Sequence, residues 1–250
     1  MSKQKWHKFF AQSHKWVGLI LGLQLLAWTI GGLVMTWLPI EEVRGQHKVA
    51  EQAPTIFGAT GDYMGVSDLI QLSGGEITEV SHTHILGNPV VKIRKYEGTP
   101  EIRDARTGEL VSPISAELAQ AIAEADFSLE APVVSINKLN EHNIDYRGPL
   151  PVWQVNFADE EQTSLYVSPT QGRIVARRSE MWRFFDFFWM LHIMDYDERD
   201  DINNPLVVTT SLFAALFAIS GLALLFFRFY RRDFNFILGK RKRAQSSQQY

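Results

Sequence analysis

The chain has 250 residues, with 25 Lys plus Arg against 28 Asp plus Glu and a formal net charge of -3. Divided at its two longest apolar runs, it carries +4 on residues 1–39, -13 on residues 40–205 and +6 on residues 206–250. That separation excludes a uniformly charged soluble globule and a nucleic-acid binder, because the one stretch long enough to fold keeps no basic face. The absence of cysteine removes disulfides, iron–sulfur clusters, thiolate zinc and a Cys nucleophile.

In chain order, a basic N-terminus (1–15) leads into Trp16–Leu38, 23 residues without a formal charge. At about 1.5 Å per residue a helix of this length crosses a roughly 30 Å hydrocarbon core. It exceeds the roughly 7 to 15 apolar residues of a cleaved signal peptide. Pro39, Ile40, Glu41 and Glu42 stand where a small-x-small cleavage site belongs, so the run reads as a retained anchor. The second run, 206–227, ends on Arg228, Arg231 and Arg232. Because Lys and Arg favour the cytoplasmic side, both termini are expected in the cytoplasm and 40–205 on the other face of a bacterial inner membrane. Gly18 and Gly22 form a G-x-x-x-G pair suited to close helix contact, within the chain or in a homodimer.

After a linker (39–56), the translocated stretch repeats itself with a period near 64. Residues 90–111 align with 152–175 and place Gly108 over Gly172. In each copy a helical stretch (66–72; 115–125) precedes an alternating strand, a polar turn, a second strand, a Gly turn and a short third strand. Ser115 stands at an N-cap position and Leu118, Ile122 and Ala125 on one helix face. Gly108 and Gly172 are expected to supply positive φ. The two units are 57–114 and 115–179. The segment 180–196 is aromatic but too short and too charged to span. Its Trp182, Phe185, Trp189, His192 and Tyr196 form a helical stripe suited to lying in the membrane interface, before an acidic loop (197–205), the second span and a basic tail (228–250). The fold class is therefore an α+β membrane protein: two transmembrane helices flank an extracytoplasmic tandem of helix plus antiparallel meander, with an interfacial aromatic helix before the second span.

The opening HKWVGLILGLQLLAWTIGGLVM resembles the first span of PepSY-associated transmembrane proteins, and the meanders ending in DARTGEL and SPTQGRI resemble PepSY domains. The resemblance implies an extracytoplasmic interaction or regulatory module. Larger relatives imply a second reading, b-type haem electron transfer toward a periplasmic ferric chelate, from which this chain departs by having only two full spans.

The ionisable residues at the membrane edge are the candidate site residues. His14 lies at the entrance of the first span, with His7 two turns earlier on nearly the same face, and His192 near the opposite surface. Each reads either as a haem ligand or as an interfacial anchor. Bis-His ligation would need a second subunit or partner. His82 and His84 share a strand face that could hold a metal but lack an evident third ligand. His47 and His142 have no identifiable partner, and the acidic run Asp195–Asp201 lacks the glycine and terminal Glu of a calcium loop. No nucleophile elbow, phosphate loop or dinucleotide fingerprint occurs. The expected partners are the lipid bilayer and a periplasmic protein or ferric chelate, without nucleic acid.

Overall fold

The computed structural model describes residues 3–51 and 63–228, the side chains of 3–11, 13 and 223–228 excepted. The described residues divide into two bodies: residues 34–51 with 63–188 form one, and residues 3–33 with 189–228 form the other. The chain is a mixed helix and sheet protein, and among the described residues two helices are long and apolar enough to cross a membrane, at His14–Trp37 and from Pro205 to Leu222.

Helix α1 (Lys3–Trp37) contains the first apolar run. Segment 34–188 then opens with a short helix α2 (Ile40–Val43) and a 3-10 turn at Gln46–Lys48. This stretch, a linker by its sequence, is built into the second repeat. Val49 bridges Phe127, Ala50 N donates to Asp126 O, and Ser128 N donates to Lys48 O.

The first repeat is α3 (Val66–Ser73) followed by β1 (Ile77–Ile85), β2 (Asn88–Lys95) and β3 (Glu101–Asp104), an antiparallel sheet in chain order. The second is α4 (Ala116–Asp126) followed by β4 (Val133–Leu139), β5 (Val152–Phe157), β6 (Ser164–Ser168) and β7 (Arg173–Arg178), again in chain order. The meanders are thus one strand longer at their start than the periodicity indicates. The short third strand expected in the first repeat is a single bridge between Arg103 and Leu110. Gly108 and Gly172 take φ of +74° and +56°, as their turns require.

Ser115 caps α4, its hydroxyl accepting from Leu118 N at 3.3 Å. Ser115→Ala should lower stability by about 1 kcal/mol, read as a lower thermal midpoint in detergent. Ala119 and Ala123 are fully buried, so the helix lies close on the second sheet, with Leu118 and Ile122 packed at its flanks. Ala125, assigned to that face by spacing, is exposed at the helix end.

One core joins the repeats. Ile85, Val90 and Ile102 from the first sheet pack with Ile114, Phe127, Val155, Phe157, Leu165 and Val167 from the second repeat. The opposite face of the first sheet holds Val91 and Ile93 with Leu69 of α3. On the outer face of the second sheet Tyr146 stacks on Tyr166 at 4.8 Å, and burial pushes the Tyr166 hydroxyl up to about 12.

Helix α5 (Glu180–Ile193) follows β7, and α6 (Pro205–Arg228) holds the second apolar run. Asn204 caps α6 through its side-chain oxygen to Val207 N at 3.0 Å, and its amide donates to Ile193 O at 2.8 Å. Pro205 is preset for the first helical position.

Candidate functional site

The two polar levels of the membrane body come from residues on different helices. His14 stacks on Phe217 of α6, ring centroids 4.7 Å apart. A methyl group on Gly18 would lie 2.9 Å from Phe217 Cζ, so this glycine makes room for a ring of the same chain. Gly22 has nothing within 4 Å. Fourteen residues, or about 21 Å, further along α1, Trp28 faces His192 at 6.5 Å.

Trp28 stands ten residues, about 15 Å, inside the far end of the first apolar run, and His192 packs beside it. The cause is the path of the chain between α5 and α6: Asn204 holds Ile193 against the start of α6, and Trp189 Nε1 donates to Arg199 O at 3.0 Å. The stripe also ends early, because the helix stops at Ile193 and Tyr196 is exposed beyond it. Gln24 Nε2, Trp28 Nε1 and His192 Nδ1 are buried without a hydrogen-bond partner, an arrangement costly in an apolar medium.

The side chain of His7 lies outside the described residues. His14 and His192 are separated by roughly 20 Å along α1, and Phe217 covers one face of the His14 ring. They do not form an axial pair within one chain.

The remaining histidines are dispersed. His82 and His84 share the first sheet's α3 face, by register with Val91 and Pro89, and His82 meets the Tyr63 ring edge at 6.2 Å. Among the described residues no three His, Asp or Glu side chains converge on one point. His142 Nε2 contacts Gly148 O at 3.1 Å. In the acidic loop, the Asp195 carboxylate accepts from the backbone N–H groups of Asp197, Glu198, Asp200 and Asp201 at 3.1 to 3.3 Å. These bonds turn the carboxylate inward on the loop's own backbone.

Among the described residues, open concave surfaces lie on the tandem repeats. The larger, about 450 Å³, is walled by Ser81, Lys92 and Arg94 of the first sheet and by Thr170, Gln171 and Arg173 of the second repeat's Gly turn. A second of about 320 Å³ shares Lys92 and Arg173 and adds His84 and the Arg177–Asp126 ion pair. A third, about 300 Å³, is lined by Arg44, Arg177, Arg178 and Trp182, with the Arg178 guanidinium 4.0 Å over the Trp182 ring. Burial lowers the Arg178 pKa.

Gly172 sets the first two cavities. Its turn lies so close to the first sheet that a Cβ there would sit 2.6 Å from Ile85 Cδ1 and 2.9 Å from Ile102 Cδ1. Lys92 and Arg173 were missed by sequence reasoning, since Lys92 alternates with Arg94 as on a solvated strand face. The available signal was a lysine inside the apolar run PVVKI.

A family model described as the PepSY-associated TM region matches residues 11–249. Comparison with curated proteins and with solved structures finds no match.

Proposed function

Because the chain belongs to the PepSY-associated transmembrane family, we propose that its spans hold the tandem PepSY domain in the periplasm of a bacterium, anchored in the inner membrane with both termini cytoplasmic. There the tandem domain acts as an interaction or regulatory module without catalysis of its own. The observation that carries this reading is the single core shared by two repeats, which presents open clefts on a body bounded in the sequence by two spans. The basic flanks of those spans supply the orientation.

A b-type haem protein assisting ferric-chelate reduction is the alternative, and it would need axial ligands from a second copy or a partner. A homodimer of that kind would have Gly22 rather than Gly18 open for close helix contact. An oxidised-minus-reduced absorption spectrum of protein purified in mild detergent from haem-replete cells separates the readings. A spectrum without haem bands is expected; a haem spectrum lost in His14→Ala or His192→Ala would overturn the proposal.

A further inference from the structure

The charge of residues 40–205 is strongly negative, yet the shared wall of the two larger cavities is cationic. In the larger one Glu79 is committed to Arg94 at 3.2 Å. Glu101 is committed to Lys95 and Arg103, the latter at 2.9 Å. In the second cavity Asp126 is committed to Arg177. Among the described residues no carboxylate reaches Lys92 or Arg173. The Arg173 guanidinium donates through Nε to Gln171 Oε1 at 2.8 Å, which leaves its terminal nitrogens for another acceptor.

Two unneutralised cations therefore line the same cavities, with the Ser81 and Thr170 hydroxyls on the walls of the larger one. Like charges held together in a partly desolvated cleft repel, and an anion placed between them removes that cost. We propose that this cleft binds a small ligand bearing oxyanion groups, carboxylate or phosphate, held between Lys92 and Arg173. Burial, and then the Arg173 charge, lower the Lys92 pKa, in accord with a cation that lacks its counter-ion. The inference rests on the tandem domain being a binding module and names the chemistry of its ligand.

Calorimetric titration of the full chain in nanodiscs of zwitterionic lipid tests it, with citrate and inorganic phosphate as probes. Wild-type protein is expected to bind at least one of them at low salt. Lys92→Gln and Arg173→Gln should each weaken binding by about tenfold or more, the loss expected for a charge-assisted hydrogen bond. Glu79→Gln should instead tighten it by freeing Arg94. Lys92→Gln should leave the ligand-free thermal midpoint unchanged or higher, because it relieves repulsion. Nanodiscs containing phosphatidylglycerol identify the source of the anion: competition with citrate points to a lipid headgroup, and unchanged citrate affinity to a soluble ligand. No binding of either probe, or equal binding by wild type and both Gln variants, would overturn the inference. Those results leave the haem spectrum and the membrane orientation unaffected, so failure of the cleft and failure of the module reading are distinguishable.

Discussion

Lys48→Met is expected to cost about 3 to 5 kcal/mol of stability, the loss typical of removing one partner from a buried ion pair. Lys48 is 5% exposed, and its ammonium bonds Asp159 Oδ2 at 2.9 Å, Glu161 Oε2 at 3.0 Å and Thr163 Oγ1 at 2.9 Å. Asp159 also accepts from Thr163 N and Thr163 Oγ1, both at 2.6 Å. Without Lys48 the Asp159 carboxylate, 6% exposed, has no cation.

The pH dependence gives this prediction its sign. Burial alone would raise the Asp159 and Glu161 pKa values. The opposing bonds prevail: those from Thr163 and Lys48 to Asp159, and those from Lys48 and Ser179 to Glu161, hold both below the usual carboxylate range. Their stabilisation is present above the unfolded-state pKa values of about 4 and is lost as pH falls through the folded values. Wild-type stability should therefore be flat near neutrality and fall in acid. In Lys48→Met the Lys48 bonds and charge that lower both carboxylates are gone while the Thr163 and Ser179 bonds remain, so the fall of stability in acid should be shallower than in the wild type. Thermal midpoints of both proteins across pH 4 to 8, about the range that brackets these groups, check both slopes.

Gly172→Ala should cost about 2 to 5 kcal/mol, combining a left-handed backbone at φ +56° with an overpacked core. The contacted methyl groups belong to Ile85 and Ile102, 6% and 0% exposed, both packed in the core that joins the repeats. Gly87→Ala is the matched control. It also has positive φ, +79°, but nothing within 4 Å of its Cβ position, and should show only the backbone cost of about 1 to 2 kcal/mol. A difference between the two in denaturation midpoint isolates the close approach of the repeats, and equal losses would contradict it.

The features legible in the sequence are those encoded by local periodicity or by one residue's conformational need. Two uncharged runs define the apolar helices, Ser115 marks a helix start, and Gly108 and Gly172 mark turns. The partners of those turns were not legible. A Cβ at Gly108 would meet Leu72 and Met64, both at 2.8 Å, from its own repeat, whereas Gly172 meets the other repeat. Equivalent positions in a repeat thus serve different contacts, and sequence alignment cannot distinguish them.

Lys48 escaped for a related reason. It sits in a polar stretch that reads as solvated, and the carboxylates that bury it are 111 and 113 residues away. The packing of His192 on Trp28 depends on the chain path around Asn204, which no period records. The charge separation between 40–205 and its flanks was legible, but the unneutralised pair within the cleft was not. Whether a cation is free depends on which carboxylates are already engaged across strands.

The central claim is that two spans hold the tandem domain on the side of the membrane opposite both termini. A chain without cysteine allows single-cysteine labelling with a membrane-impermeant maleimide in spheroplasts, using Glu97→Cys on an exposed turn of the first repeat and Ser246→Cys in the basic tail. The account predicts labelling of Glu97→Cys in intact spheroplasts and of Ser246→Cys only after permeabilisation. Labelling of Ser246→Cys in intact spheroplasts, with Glu97→Cys protected, would contradict it.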